Sequence, residues 1–203
     1  MALKLFGRYD LENVEVKDIS LRSALSFEGV NPRVHTFGRH GKKQHAKQKI
    51  NIVERLVNKL MRGGTGEKTS GKVIRTGGRL QGKKQRMLKV VEKAFAIVEE
   101  KTKRNPVQVL VEALENSAPR EEVTRVSYGG VSYQIAVDTS SSRRLDLALR
   151  NITLAALMRA FNKPVSLSQS LADEIVYSAN KDVQNSYAIK KRDEAERMAR
   201  SAR

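Results

Sequence analysis

Residues 122–138 read Glu-Val-Thr-Arg-Val-Ser-Tyr-Gly-Gly-Val-Ser-Tyr-Gln-Ile-Ala-Val-Asp. Val131, Tyr133, Ile135 and Val137 alternate with Ser132, Gln134, Ala136 and Asp138, the period of two that a strand requires. Gly129-Gly130 separates this run from Val123–Tyr128, and adjacent glycines supply the positive φ of a tight hairpin turn. The stretch is therefore predicted to be a β-hairpin. A single hairpin is marginally stable in water, so it needs a body beneath it or a partner above it. Parity groups Tyr133 with Val131 and Ile135, which predicts packing or a mixed role for Tyr133 and outward contact for Tyr128.

Both flanks of the hairpin are helical. Upstream, Asn105-Pro106 opens a helix: Asn caps, Pro suits the first turn, and Gln108 completes a capping-box pattern. Val107, Leu110, Val111 and Leu114 form its apolar face, and Pro119 closes it. Downstream, Leu145, Leu149, Ile152 and Ala156 mark a helix capped by Ser141 or Ser142, with Arg143 and Arg150 nearly opposite. Further out, Val53, Leu56, Val57 and Leu60 define a helix over 50–61 whose Arg55, Lys59 and Arg62 fall on the polar side. Met87, Val90, Val91, Ala94, Phe95 and Val98 define another. Leu167, Leu171 and Ile175 mark a fifth, capped by Ser166 or Ser168. Residues 184–203 form a polar last helix with Asp193–Arg197 and Glu196–Arg200 spacings, expected to gain order from a partner. The predicted fold is mainly α: a bundle of about six helices with one protruding β-hairpin between the third and fourth, preceded by a basic N-terminal extension. The predicted organisation is an arm and extension at 1–49, and a helical domain at 50–203 carrying the hairpin at 122–138.

Charge points to the ligand. The chain carries a net +17, and two stretches totalling 44 residues hold +13 of it. Between Asn31 and Lys49 lie Arg33, Arg39, Lys42, Lys43, Lys47 and Lys49 with no acid. Between Arg62 and Arg86 lie eight bases, among them Lys72, Arg75, Arg79, Lys83 and Lys84, against Glu67 alone. Glycines from Gly63 to Gly82 predict a flexible basic loop there. Positive charge concentrated this way repels itself unless an anion neutralises it, which predicts a nucleic-acid surface. On that reading the RNA-contacting set is the 31–49 extension, Arg55, Lys59 and Arg62, the 62–86 loop, Arg143 with Arg150, and a hairpin bearing Arg125 and Tyr128.

Other chemistries fit poorly. Cysteine is absent, which excludes disulfides, zinc–thiolate sites and thiol nucleophiles. Gly66-Glu-Lys-Thr-Ser-Gly71-Lys72-Val73 follows a phosphate-loop spacing as far as its lysine, then places Val73 where a hydroxyl must hold magnesium. His35, His40 and His45 sit in a cationic stretch with no acid, an environment that repels metal ions. Neither a catalytic triad nor a carboxylate pair is visible, so no enzyme activity and no cofactor are expected. No apolar run approaches membrane-spanning length, and no signal peptide opens the chain, so no membrane partner and a cytoplasmic location are expected. An architectural DNA-binding protein with a β-arm is the alternative, but Arg125 is the only base between Val123 and Val137.

Several motifs in order resemble the small-subunit ribosomal protein seven family. Ile52-Val-Glu-Arg-Leu-Val-Asn-Lys-Leu-Met61 is similar to its first helix, and Asn105 to Arg120 to its third. Tyr128-Gly-Gly-Val-Ser-Tyr-Gln134 resembles the hairpin tip, and Arg143-Arg144 with Leu147-Ala-Leu-Arg150 the start of the following helix. Ser186-Tyr-Ala-Ile-Lys-Lys191 looks like the archaeal and eukaryotic form of the C-terminal helix. The likeness runs from about Val14 to the end, and the Arg62–Lys84 loop is longer than is usual in the family. The resemblance adds Arg144 to the RNA-contacting set. It implies a ribosomal, non-enzymatic protein that binds the 3′ major domain of small-subunit rRNA and nucleates assembly of the subunit's head. It also implies a place near messenger RNA and exit-site tRNA, beside neighbouring head and platform proteins.

Overall fold

The computed structural model describes residues 4–28, 34–63, 68–69 and 72–203. Among them, seven α-helices follow in order: α1 (Ile19–Arg22), α2 (Ile52–Leu60), α3 (Lys84–Thr102), α4 (Pro106–Ser117), α5 (Ser141–Ala160), α6 (Leu167–Ala179) and α7 (Tyr187–Ser201). A short antiparallel pair, β1 (Lys68–Thr69) and β2 (Lys72–Val73), precedes α3. The larger hairpin, β3 (Glu121–Tyr128) with β4 (Val131–Asp138), lies between α4 and α5. This is the helical bundle with an inserted hairpin that the sequence predicts, with α1 as an additional single turn in the arm.

Apolar periodicity sets the packing. α6 touches α3, α4 and α5, and its Leu171, Ala172 and Ile175 are fully buried. Predicted stripe residues of the flanking helices, Val91, Phe95 and Val98, then Leu110 and Leu114, then Leu145, Leu149 and Ile152, join them in one core. The arm belongs to that core as well. Leu5, Tyr9, Leu11, Leu21, Ala24 and Leu25 are buried in the same cluster.

Helix starts follow their caps with two differences. Asn105 caps α4 by accepting from the Val107 N–H, and Ser166 caps α6 by accepting from Gln169. Gln108, expected to reach back to its own cap, instead pairs with the arm: its Nε2 donates to the Glu15 carbonyl and its Oε1 accepts from the Glu15 N–H at 2.9 Å. The cap residue of α5 is Ser140, one position before the serines predicted, and it makes no side-chain cap bond.

Two other regions depart from expectation. The 62–86 stretch is docked at its C-terminal end rather than wholly flexible. Ile74 and Leu80 are buried, and Gln81 Nε2 donates to the Gly63 carbonyl at 2.7 Å. Gly63 lets Leu80 pack close: a Cβ there would lie 2.6 Å from Leu80 Cδ1, so that side chain would have to shift. Meanwhile α7 rests on the protein's own body, against β3, α4 and α5. Ala188, Ile189 and Ala199 are buried, and buried Glu174 accepts from the Ala188 N–H at 3.0 Å, close to the α7 N-terminus. Its surface acids also serve the fold, since Glu196 accepts from the Arg120 N–H at the root of the hairpin.

Candidate nucleic-acid interface

The geometry of α5 decides where the cations meet. Arg143, Asp146 and Arg150 stand at positions i, i+3 and i+7, so they share one face. That face borders an open groove of about 750 Å³ whose other walls carry Lys59 and Arg62 from the end of α2 and His45 from the arm. Asp146 is the one acid in its lining. Lys47 of the arm bonds to Asp146, Arg55 Nη2 lies 3.1 Å from Oδ1, and Lys59 Nζ lies 3.9 Å away.

Burial and neighbouring charges both act on the protonation of these groups. Burial alone would raise the Asp146 carboxyl, but the Lys47 hydrogen bond and the charges of Lys59 and Lys47 outweigh it and hold it below the usual range. Lys59 is pushed down, first by burial and then by Lys47, Arg62 and Arg55, with Asp146 only partly offsetting them. Arg143 has an acid of its own, since its Nε donates to Glu122 Oε2 at 2.6 Å, but Asp146 alone faces Lys47, Arg55 and Lys59. A phosphate entering the groove would relieve their mutual repulsion.

Outside the groove, the arm runs through two 3₁₀ turns, Arg39–Lys42 and Ala46–Lys49. They present Arg39, Lys42, Lys43, Lys47 and Lys49 to solvent. Arg75 and Arg79 border a second, more apolar groove against the end of α5, and Lys83 and Arg86 are exposed at the start of α3. Arg33 and the Lys72 side chain lie outside the described residues, as do Gly66, Glu67, Ser70 and Gly71 of the phosphate-loop-like run. His35 accepts from the Phe37 N–H, and His40 lies 3.3 Å from the Thr36 hydroxyl. Among the described residues no group of three His, Cys, Asp or Glu could hold a metal ion.

Three predicted contact residues are turned inward instead. Arg55 is 3% exposed, because α2 is covered on its polar side too, and it donates to the Ala24 carbonyl and Asp146. Arg144 is 6% exposed and spans three partners: Asp18, Ser20 and the Pro119 carbonyl. Both guanidiniums tie the arm to the helical body, so neither is free to meet a phosphate. Lys84 is largely covered and ion-paired with buried Glu54. The spacing rule placed Arg55 opposite the apolar stripe correctly, but it could not show that Ala24 and Asp146 bond it there from distant parts of the chain.

The outer half of the hairpin stands clear of the body, while its base is held by α7 and Arg143. Its register pairs Tyr128 with Val131, Val126 with Tyr133 and Thr124 with Ile135, which sets these six residues on one face. Tyr128 is 82% exposed, as expected at the tip. Tyr133, expected to pack or to play a mixed role, is 53% exposed, because nothing among the described residues lies over the outer half of the ribbon. Gly129 and Gly130 have φ of 58° and 83°, the left-handed pair that a two-residue hairpin turn requires. Arg125 points to the opposite, polar face, across from Gln134.

Sequence reasoning missed Asp146 in the groove and Phe37 in the arm. The i, i+3, i+7 spacing around Asp146 was the available signal. Phe37 is largely exposed, with its ring centroid 4.2 Å from that of His35. An aromatic inside a cationic run offers a stacking surface for a base.

Residues 30–203 match the family model for ribosomal protein S7p/S5e. The chain is 50% identical over 203 residues to "Small ribosomal subunit protein uS7" of Methanococcus maripaludis, covering 100% of both chains. It is 48% identical over 205 residues to the protein of that name from Methanococcus vannielii, covering 100% of this chain and 97% of the relative. It is 47% identical to the one from Methanococcus aeolicus over 203 residues, again covering 100% of both. A bundle with a hairpin inserted between two core helices, a crowded cationic face and matches of this extent agree: the chain belongs to the S7p/S5e family of ribosomal proteins.

Proposed function

We propose that this chain is a structural, non-enzymatic constituent of the small ribosomal subunit in the cytoplasm, and that it binds the 3′ major domain of the subunit's rRNA while the head assembles. The observation that carries the reading is the groove between α2 and α5, lined by Lys59, Arg62, Arg143 and Arg150, with Asp146 the one acid in its lining and Arg143 paired at its edge with Glu122. The contact set we assign is Arg39, Lys42, Lys43, Lys47 and Lys49 of the arm, the groove cations, Arg75, Arg79, Lys83 and Arg86, and Arg125 with Tyr128 on the hairpin. Arg33 and Lys72 belong to it by charge and position in the sequence. Phosphate contacts from such a set orient a protein on folded RNA, while shape and unpaired bases supply selectivity.

In competition binding, structured RNA from the 3′ major domain displaces the labelled complex, and duplex DNA of equal length does so at least about tenfold less well. Equal competition by duplex DNA would sink the assignment in favour of an architectural DNA-binding protein.

The hairpin is assigned a separate role, reaching messenger RNA and exit-site tRNA, beside neighbouring head and platform proteins. Its support is an exposed tip with two tyrosines and little charge, suited to base contact more than to phosphate neutralisation. Removing residues 126–134 and closing the gap with a short turn leaves rRNA binding within about threefold, since the cations above lie elsewhere. Subunits carrying the shortened protein then retain deacylated tRNA less well at the exit site. Failure of the shortened protein to enter subunits would make the hairpin an assembly element instead.

A further inference from the structure

The groove cations are fixed to helices, but the exposed cations from Arg39 to Lys49 lie on or beside 3₁₀ turns that have no core of their own. Something must hold residues 37–46 in place, and the structure shows what does. Glu54, in the first turn of α2, is 1% exposed, and its Oε1 accepts three donors: the Thr36 N–H at 3.0 Å, the Thr36 hydroxyl at 2.9 Å and Lys84 Nζ at 2.5 Å. Its Oε2 is buried without a hydrogen-bond partner among the described residues. Thr36 belongs to the first basic stretch and Lys84 to the second, so a single buried carboxylate fastens both. At the far end of the arm, Lys47 is fastened to Asp146. Val34 and Ile50, both buried, lie just outside these two attachments. Arg39, Lys42 and Lys43 therefore sit on a segment tied at both ends to an acid of the body.

We propose that Glu54 is a positioning residue for RNA binding: by holding Thr36 and Lys84 it pre-orders the two basic stretches, so that this acid increases affinity for a polyanion. The inference rests on the assignment of RNA as the ligand. Long-range electrostatics alone predicts the opposite, because removing a negative charge from a cationic protein strengthens its attraction to phosphate. Ordering a flexible segment at the moment of binding opposes association, and a segment ordered beforehand avoids that cost. A buried carboxylate in the first turn also suits the positive end of the helix, which keeps it charged without solvent.

The test measures binding of full-length protein to 3′ major domain RNA alongside thermal unfolding and trypsin cleavage of the free protein within residues 39–49. Glu54→Gln keeps shape and removes the charge. Thr36→Val removes the hydroxyl's bonds to Glu54 and His40 without altering charge, at a half-buried arm position. Thr36→Ser restores the hydroxyl. Expected are about fivefold or greater losses of RNA affinity in Glu54→Gln and Thr36→Val, faster cleavage of the arm in both, and recovery to within about twofold in Thr36→Ser. Tighter or unchanged RNA binding in both Glu54→Gln and Thr36→Val, with wild-type protein binding normally, would overturn the inference. Absence of RNA binding by wild-type protein would instead strike the RNA assignment itself, which separates the two failures. A loss in Glu54→Gln alone, tracking its melting temperature and not matched by Thr36→Val, would reduce Glu54 to a structural buried charge and also overturn it.

Discussion

Affinity for small-subunit RNA falls by roughly 10³-fold or more as salt rises from about 50 to 200 mM, the fall expected for about six to ten phosphate contacts. The exposed cations needed are present: Arg39, Lys42, Lys43 and Lys49 on the arm, Arg62, Arg143 and Arg150 at the groove, and Arg75, Arg79, Lys83 and Arg86 beyond it. Each phosphate neutralised releases condensed counterions, so the slope of log affinity against log salt counts contacts. Substituting Arg39, Lys42, Lys43 and Lys49 together by glutamine reduces the magnitude of that slope by about 3 to 4 if each meets one phosphate. Substitution is preferable to deleting the segment, because Val34 is buried and Thr36 is bonded to Glu54, so deletion would disturb the body as well. A slope unchanged by the fourfold substitution would remove the arm from the phosphate-binding surface.

The sequence made the fold legible where a single periodicity governed a whole element. The hairpin is the clearest case. Period-two alternation on both sides of Gly129-Gly130 leads to two strands and a left-handed turn, and the observed register has Tyr128 opposite Val131. Helices α3 to α6 follow the same logic at period 3.6, since their apolar stripes all enter one core. Legibility failed where burial depends on a distant segment. Arg55 and Arg144 look like surface cations on amphipathic helices, but residues 18–24 of the arm lie close enough to bond both. No local pattern encodes that contact; it is a pairing of residues up to 126 positions apart. Tyr133 failed in the other direction, because alternation identifies a face without saying whether anything covers it. The charge runs identified the candidate surface as a class. The inward acids Glu54 and Asp146 determine its arrangement, and single acids among many bases read as dilution rather than as fastening.

Phe95→Ala removes the largest side chain that is fully buried in the core, and it is expected to cost about 3–5 kcal/mol of unfolding free energy. Two features place this position towards the upper end. The Phe95 ring makes edge-to-face contacts with both Phe6 and Tyr9, at centroid distances of 6.2 and 6.1 Å, so truncation strips contacts from the arm as well as from α3. The arm cannot readily collapse into the space, since Leu5 and Tyr9 are joined by their own backbone bridge and the Tyr9 hydroxyl is held by Glu99 at 3.2 Å. Tyr9→Phe supplies the comparison. It deletes only the hydroxyl's bond to exposed Glu99 and is expected to cost about 1 kcal/mol, because the ring packing survives. Urea unfolding gives both values, and trypsin cleavage after exposed Arg8 reports whether the arm is released before the helices open. Cleavage at Arg8 that accelerates in Phe95→Ala well beyond the change in global stability shows the arm held mainly through this ring cluster. Equal acceleration of both places the arm within the cooperative fold, while a loss below about 1.5 kcal/mol on Phe95→Ala would mean that the arm does not complete the core as the buried contacts require.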